Sequence, residues 1–382
     1  MSYKFLKVSS ENFRNLDNCI IEFSKGINCI LGENGNGKTN LLEVLYYLAN
    51  RKSFRKNTSF PQLLSIDSEQ FQIQISAVLQ DVETERNVPV SAKLTSEQAF
   101  WWVDGQPKKS KLNLPIVFIN PFDSFSFHTS PTFRRNWFDT HLGLLDKTYK
   151  TLLGKYQKAI RMRNQLLTQG KRDYVVSQIS ALDRELAKYQ LELSTKRVIF
   201  LSELSEFCSP TFEKIFSEKH DLQLDLESKI MGLSEQNIFD LMQKSLEKDF
   251  QIGKTNSGIH RDDYVFHFDG FNSFEFCSLG QQKMSYLSLV FAYIELFRYK
   301  FKTYPVVLID DVSGELDRQR WGRLISYLRE KDFQVFITTA NENFRDELEK
   351  IEEAKKIYFS QGKIQEARMG DSSGDNRFNC QG

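Results

Sequence analysis

The 382-residue sequence has few cysteines, and none of them are spaced so that they would act together. The five, Cys19, Cys29, Cys208, Cys277 and Cys380, are odd in number and scattered, and no two form a C-x-x-C pair. We therefore expect neither a disulfide framework nor a zinc site, and a reducing compartment fits this cysteine usage better.

Long apolar runs are also missing. Residues 1–10 contain no apolar signal core, and no run reaches the roughly 18 apolar residues of a membrane-spanning helix. We therefore expect a cytoplasmic protein with no membrane partner.

Net charge is nearly absent, because 51 Lys and Arg oppose 50 Asp and Glu, for a net charge of +1. Any surface for nucleic acid must then be a local patch. The remaining composition, 40% hydrophobic and 26% charged, is that of a globular protein. The length allows one large domain with an insertion, or two domains.

The most informative stretch that is present is a phosphate-binding loop near the start. Residues 31–40, LGENGNGKTN, fit the P-loop pattern G-x-x-x-x-G-K-[ST] through Gly32, Gly37, Lys38 and Thr39, between an apolar run and a helical pattern. Such a loop turns its backbone N–H groups toward an anion at a helix N-terminus. We expect Lys38 to neutralise the β- and γ-phosphates of ATP and the Thr39 hydroxyl to hold Mg²⁺.

Two carboxylates end a buried strand much later in the chain. Residues 305–311, PVVLIDD, read as a parallel strand that ends in Asp310 and Asp311, the Walker B form, and SGELD follows at 313–317. We expect Asp310 to join the Mg²⁺ shell and Asp311 to stand where a base orients the attacking water.

A second anion site is predicted where SLGQQK, residues 278–283, opens a long apolar helix that reaches residue 301. Serine, glycine and glutamine at a helix N-terminus supply exposed N–H groups, a hydroxyl and the positive end of the dipole. An ordinary capped helix start explains the same residues, and from them alone both interpretations stay open.

The rest of the pattern separates strands from helices. Strands are predicted at 3–8, 19–23, 27–31, 221–230 and 334–339, an antiparallel meander with an Asp104-Gly105 hairpin at 71–119, and helices at 139–207 and 234–249. The polar segment 120–123 fits either a γ-phosphate contact through Asn120 or simple turn chemistry. Residues 369–382 are expected to be disordered.

Positive charge is concentrated in residues 147–197, which hold twelve Lys or Arg and four Asp or Glu, a local charge of +8. Two antiparallel helices that turn at 169–171 are predicted there as a short arm. With Arg134-Arg135 upstream and Arg161 and Arg163 within it, this arm is the candidate nucleic-acid surface, although a solvated helix face would carry the same charge. Whether Arg134 and Arg135 contact DNA or support the fold stays open. The basic stretch RKSFRK at 51–56 is open to the same two interpretations.

The order of P-loop, S-x-G-Q and Walker B with a trailing E-L-D resembles ABC-type ATPase heads of the branch that includes SMC proteins. The closer resemblance is to the bacterial RecF family of recombination mediators, and it runs over most of the chain. The motifs that carry it lie at residues 12–15, 32–43, 53–55, 134–139, 163–164, 258–263, 278–283 and 310–317.

This resemblance implies an α/β fold, an ABC-type P-loop head made of residues 1–130 and 250–368. A mostly helical lobe at 131–249 is inserted and carries the arm. The implied ATP-binding residues are Gly32, Asn34, Gly35, Gly37, Lys38, Thr39 and Asn40, with Ser278, Gly280 and Gln281 acting in trans. Lys38, Asp310 and Asp311 would be catalytic, and Thr39 and Asp310 would be the Mg²⁺ ligands.

The implied function is that of a weak, DNA-stimulated ATPase in DNA repair and replication. It would form a homodimer over ATP, bind DNA at single-strand gaps or junctions, and assist recombinase loading alongside partner mediator proteins. Slow hydrolysis would release the dimer.

Four positions depart from related patterns. Ile259 stands where the family has proline and Lys283 where it has arginine, while Asp311 and Thr339 replace the glutamate and histidine of most ABC heads. The last two, which agree with the RecF family, imply slow hydrolysis because a shorter carboxylate aligns water less well.

Two other functions compete with this interpretation. One is an ATP-gated structural clamp of the SMC type with incidental hydrolysis. The other is the nucleotide-binding subunit of an ABC transporter, which the long basic insertion and the missing switch residues oppose.

Overall fold

The computed structural model describes residues 3–112, 114–169, 172–311, 316–360 and 363–365. The chain divides into two compact units, Met1–Pro121 with Phe301–Gly382, and Phe122–Lys300. The prediction that the inserted lobe covers residues 131–249 stays a prediction, because this division does not test it. The predicted disordered tail, residues 369–382, lies outside the described residues, as do Gly170 and Lys171 of the predicted turn and residues 312–315 after the Walker B strand.

The first unit begins with strands on both sides of the P-loop helix. In chain order its elements are β1 (Tyr3–Glu11), β2 (Cys19–Glu22), β3 (Ile27–Leu31), α1 (Lys38–Asn50), α2 (Phe60–Leu63), β4 (Ile73–Asp81), β5 (Asn87–Leu94), β6 (Ala99–Val103), β7 (Gln106–Pro107) and β8 (Ile116–Ile119). The predicted strand at 27–31 is confirmed at both ends, and the predicted Asp104-Gly105 hairpin joins β6 to β7.

The second unit follows and is mostly helical. Its elements are α3 (Asp123–Thr129), α4 (Pro131–Leu145), α5 (Lys147–Gln169), α6 (Arg172–Phe216), β9 (Leu222–Glu227), α7 (Glu235–Ile252), a 3₁₀ turn (Ile259–Arg261), β10 (Asp263–Phe268), β11 (Phe271–Asn272), α8 (Ser273–Phe276) and α9 (Leu279–Phe301). The chain then returns to the first unit with β12 (Val306–Asp310), α10 (Arg318–Arg329), β13 (Val335–Thr339), α11 (Glu342–Glu349), β14 (Lys355–Ser360) and β15 (Lys363–Gln365).

A six-stranded sheet in the order β15-β14-β3-β13-β12-β8 positions the nucleotide motifs. Its strands are parallel except β15, and β3, β12 and β13 are buried along their whole length. Their continuous apolar runs are typical of strands covered on both faces. Because ligands of such sheets bind beyond the carboxyl ends of the strands, the P-loop after β3 and Asp310 at the end of β12 meet at one edge.

A second sheet, in the order β2-β1-β4-β5-β6-β7, is antiparallel throughout. This confirms the predicted meander over β4 to β7 and adds β1 and β2 to it. The end of the predicted range is wrong, because residues 116–119 form β8, which pairs in parallel with β12 in the other sheet. One hydrophobic core joins the buried face of this sheet, α1 and the parallel sheet.

The predicted pair of antiparallel helices is confirmed as α5 and α6. Arg163 of α5 pairs with Asp183 of α6, and Asp146, directly before α5, pairs with Lys196 of α6. The residue numbers of these pairs run in opposite directions, as antiparallel helices require. Helix α6 continues to Phe216, well past the predicted end near 207. Of the helices in the described ranges, none is both long enough and apolar enough to cross a membrane.

Candidate nucleotide-binding site

Lys38 is the first residue of α1, and its side chain folds back over the P-loop. Its Nζ donates hydrogen bonds to the carbonyl oxygens of Gly32, at 2.6 Å, and Glu33, at 2.8 Å. The residue is only 6% exposed, and burial lowers its pKa, with the nearby carboxylates Asp311 and Asp310 acting in the opposite direction. The ammonium group therefore lies where it can compensate the charge of a phosphate bound in the loop.

Two loop positions require glycine, because their backbone has a positive φ and neighbouring atoms leave no room for a Cβ. Gly32 has a φ of 148°, and a Cβ there would lie 2.3 Å from the carbonyl oxygen of Phe359 in β14. Gly37 has a φ of 100°, and a Cβ there would lie 3.1 Å from Oδ1 of Asn15. Asn15 also donates to the carbonyl oxygen of Gly35 at 3.0 Å and accepts from Asn40 at 2.5 Å, so it fixes the loop backbone.

Thr39 and Asp310 lie together, as the sequence predicts. The Thr39 hydroxyl donates to the Asp310 carboxylate, 2.9 Å from Oδ1 and 3.0 Å from Oδ2. Thr338, at the end of β13, also donates to Oδ1 at 2.7 Å. Burial raises the pKa of Asp310, and the neighbouring Asp311 raises it further, while the two hydroxyl donors act against this.

These oxygen donors fit Mg²⁺. A hydroxyl and a carboxylate are hard ligands, and Mg²⁺ is usually held by one or two such groups together with substrate phosphates and water. No group of three or more His, Cys, Asp or Glu suited to a metal occurs in the described part of the chain. The ion would therefore depend on ATP as well as on Thr39 and Asp310.

Asp311 lines the same cleft as the P-loop and Asp310. Its backbone is in the left-handed region, with a φ of 43°, and its N–H donates to the Thr338 hydroxyl at 3.0 Å. Thr339, which stands about where other heads have a histidine, accepts a hydrogen bond from the N–H of Asn341 at 3.1 Å. Roles for Asp311, Thr339 and Asn120 in hydrolysis stay predictions.

A buried carboxylate behind the P-loop organises two arginines. Glu43 of α1 is fully buried and accepts from Arg14 at 2.5 and 2.9 Å, from Arg55 at 3.0 Å and from the Ser53 hydroxyl at 2.5 Å. Arg55 also donates to Oδ1 of Asn40 at 2.8 Å and lines the nucleotide cleft. We call Glu43, Arg14, Arg55 and Ser53 the Glu43 cluster.

The predicted second anion site lies in the second unit, at the start of α9. Ser278 and Gln281 form a capping box: the Ser278 N–H donates to Oε1 of Gln281 at 2.9 Å, and the Gln281 N–H donates to Oγ of Ser278 at 3.3 Å. Gly280 is exposed, and a Cβ on it would meet nothing within 4 Å. The cap is therefore formed, and its exposed N-terminal turn is accessible to an anion.

Comparison with known proteins gives the family. The family model described as the RecF/RecN/SMC N terminal domain matches residues 5–366. The DNA replication and repair protein RecF of Streptococcus suis is 32% identical over 372 residues, which are 94% of this chain and 99% of that protein.

The chain belongs to the RecF family. A solved structure of the recombination mediator protein RecF with ATP, from the RecFOR pathway, is 25% identical, covers 95% of this chain and 99% of that one, and has a TM-score of 0.81. An Smc head domain from Pyrococcus furiosus, bound to the C-terminal domain of ScpA, covers 95% of each chain with 16% identity and a TM-score of 0.57. The predicted fold, an ABC-type α/β head with a helical insert, is confirmed.

Within this RecF-family chain, the prediction that Arg163 belongs to the nucleic-acid surface is wrong, and Arg134 supports the fold. Arg163 is fully buried and pairs with Asp183 at 2.6 Å and Asp249 at 2.7 Å. Arg134 is 5% exposed and forms a two-pronged pair with Asp263 at 2.8 and 2.7 Å. Both arginines hold the second unit together, so neither is available to DNA.

Of the exposed cations described in the arm, two, Arg184 and Lys188, lie on α6 and the others lie along α5. Helix α5 contains no Asp or Glu, and five of its basic side chains are exposed and make no hydrogen bond or ion pair within the described residues. We call these the α5 stripe: Lys147, Lys150, Lys155, Lys158 and Arg161.

Sequence reasoning gives no role to Glu43, Arg14 or Thr338. A signal exists for Glu43, because it is the one charge in the apolar run LLEVLYYLA after the P-loop, and a charge on a buried helix face needs a partner. No comparable signal marks Thr338, because a threonine at the end of a buried strand is ordinary.

Proposed function

We propose that this chain is an ATP-dependent, DNA-binding recombination mediator. It dimerises over ATP, binds DNA at single-strand gaps and assists recombinase loading, and slow hydrolysis releases the dimer. The observation that carries the proposal is the arrangement of Lys38, Thr39 and Asp310 around a P-loop in a chain of the RecF family.

The cleft residues divide the nucleotide chemistry among them. The loop N–H groups and Lys38 bind the β- and γ-phosphates, and Arg55, which borders the same cleft, adds a second cation. Mg²⁺, when bound by Thr39 and Asp310, supplies charge neutralisation on the phosphate oxygens. Asp311 orients the attacking water, and its short side chain makes turnover slow.

ATP joins two copies of the chain because one copy holds only half of the site. Ser278, Gly280 and Gln281 of one subunit bind the γ-phosphate held by the partner's P-loop, using the exposed N-terminal turn of α9. The capping box leaves donors of that turn free, since a helix start has four N–H groups without helical partners. Hydrolysis removes the shared phosphate and with it the link between subunits.

DNA binds the α5 stripe through its phosphates. Five exposed cations without acidic neighbours on the same helix give a positive surface in a chain whose total charge is only +1. Such a surface binds any duplex backbone in a salt-dependent way. The preference for gaps and the cooperation with other mediator proteins rest on the RecF family and on the RecFOR pathway of the solved relative.

The mass of the protein in solution tests the proposal. We expect the 44.7 kDa chain to shift to about twice that mass with ATP and Mg²⁺ but not with ADP, and gapped DNA to favour the larger species. Lys38→Met is the matched control and should stay monomeric. A mass that ATP does not change would contradict the proposal.

A further inference from the structure

The segment GIHRDD at 258–263 is a motif for which the proposed function has no role. Its backbone is fixed from the first residue. Gly258 has a φ of 133°, and a Cβ there would lie 2.4 Å from Oε1 of Gln190 and 3.0 Å from the Tyr156 hydroxyl. Gln190 also accepts the N–H of Ile259 at 3.2 Å.

Three further side chains of this segment are anchored. His260 donates from Nε2 to the carbonyl oxygen of Thr255 at 3.0 Å, and its Nδ1 accepts from the Tyr156 hydroxyl at 2.7 Å. Asp262 pairs with Arg197 at 2.8 Å, and Asp263 pairs with Arg134 at 2.7 Å. All the partners belong to α4, α5, α6 or the preceding loop, so the segment is held rigidly within its own unit.

Arg261 is the exception. Its side chain is exposed and makes no hydrogen bond or ion pair with the described residues, although its N–H is held by the carbonyl oxygen of Gly258 at 2.8 Å. Lys229 is likewise exposed and unpaired among the described residues, and together with Ser228 and Glu227 it lines the same groove as Arg261. We call this the Arg261 groove.

The charge in this groove is positive. Two of its carboxylates are paired, Asp263 with Arg134 and Asp262 with Arg197, which Asp139 shares. The exposed charges that line the groove are Arg261 and Lys229 against the single carboxylate of Glu227. Arg135, which donates to the carbonyl oxygen of Asp262 at 2.8 Å, adds a further cation beside it.

We propose that the Arg261 groove binds a phosphate of the nucleic-acid backbone. A guanidinium on a fixed backbone loses little entropy when it binds, and its planar fork matches two phosphate oxygens. Lys229 lies within the same groove and supplies further donors. The inference rests on the proposed function, in that DNA is the source of the phosphate.

The groove is a different surface from the α5 stripe. Tyr156 faces His260 of the anchored segment, and at about 100° per residue Lys158 lies about 200° further round α5. Changes to the groove and to the stripe can therefore be made and measured independently.

The test measures DNA affinity against salt concentration for the double variant Arg261→Gln with Lys229→Gln. Each duplex phosphate contact contributes about 0.9 to the slope of log affinity against log salt. We expect the slope to fall by about 1 to 2 and the affinity at low salt to fall about tenfold. Lys244→Gln with Lys248→Gln, two exposed lysines of α7 that do not line the groove and have no partner among the described residues, removes the same charge and should leave the slope unchanged.

The outcomes separate this inference from the proposed function. Suppose that charge reversal of the α5 stripe flattens the slope of log affinity against log salt. If the groove variant then has an unchanged slope and wild-type thermal stability, the inference is overturned and the proposed function is not. Wild-type protein without salt-dependent DNA binding overturns both. Arg261→Lys should keep the slope but lower the affinity, because it retains the charge and loses the fork. If the Lys38→Met protein still binds ATP, and adding the double change removes that binding, the groove binds free nucleotide and the inference is wrong.

Discussion

Replacing Glu43 by glutamine removes the one charge that holds two arginines beside the nucleotide site. Glu43 is fully buried, and its oxygens accept from Arg14, Arg55 and Ser53 at 2.5–3.0 Å. Glutamine has nearly the same shape but no charge, and its amide nitrogen cannot accept hydrogen bonds. The variant therefore leaves two guanidinium groups facing a neutral group.

The size of the effect follows from burial. Removing one partner of a buried ion pair costs about 3–5 kcal/mol. Here the side chains of Arg14 and Arg55 are 17% and 35% exposed, so water screens part of the loss. We expect a decrease of about 3 kcal/mol in the free energy of unfolding, which is about a 150-fold change in the unfolding equilibrium.

Urea unfolding measures this decrease. Glu22→Gln is the matched control, because that carboxylate is 68% exposed and lies 3.8 Å from Lys7 Nζ, and we expect it to cost less than about 0.5 kcal/mol. ATP affinity should also fall in Glu43→Gln, since Arg55 loses its fixed position at the cleft. A Glu43→Gln protein as stable as the Glu22→Gln control would refute the reasoning.

Three other predictions test separate parts of the molecule. Lys38→Met should abolish ATP binding, measured by calorimetry, while the circular dichroism spectrum stays that of wild type; normal affinity would overturn the site assignment. Charge reversal of Lys155, Lys158 and Arg161 should lower the slope of log DNA affinity against log salt by about 0.9 for each phosphate that the variant no longer binds, and an unchanged slope would mean that the stripe is only a solvated face. Burial lowers the pKa of His128 to about 4, so as the pH falls the imidazole takes up a proton in the unfolded chain before it does so in the folded one. The free energy of unfolding should therefore fall as the pH drops from about 6.5 toward 4, by up to about 1.4 kcal/mol per pH unit. In His128→Phe, measured by urea unfolding at each pH, the free energy of unfolding should depend less steeply on pH. The same pH dependence as in wild type would show that His128 does not contribute.

The nucleotide edge of the fold could be predicted because its signals are local. A P-loop needs glycine where φ is positive, as at Gly32 and Gly37, and a buried parallel strand needs a continuous apolar run, as in β12. Both requirements are met by consecutive residues, so the sequence indicates each motif together with its strand.

The roles of the basic residues could not be predicted in this way. Arg163 and Arg161 are two positions apart on α5, yet Arg163 is buried between Asp183 and Asp249, while Arg161 is exposed. The partners of Arg163 lie 20 and 86 residues away in the chain, and only the tertiary fold brings them together. A count of Lys and Arg in the sequence does not distinguish buried cations from exposed ones. The predicted patch therefore includes Arg134 and Arg163.

The central claim, that ATP is shared between two copies of the chain, is tested most directly by mixing two inactive variants. Ser278→Arg should bind ATP but neither dimerise nor hydrolyse it, because the new side chain collides with the nucleotide of the partner. Lys38→Met should bind no ATP. In a mixed dimer, the intact P-loop of the Ser278→Arg subunit faces the normal Ser278 of the other subunit, so one sound site remains. We predict that ATPase activity and dimer mass partly return on mixing, whereas full activity of the Ser278→Arg protein alone, as a monomer, would contradict the account.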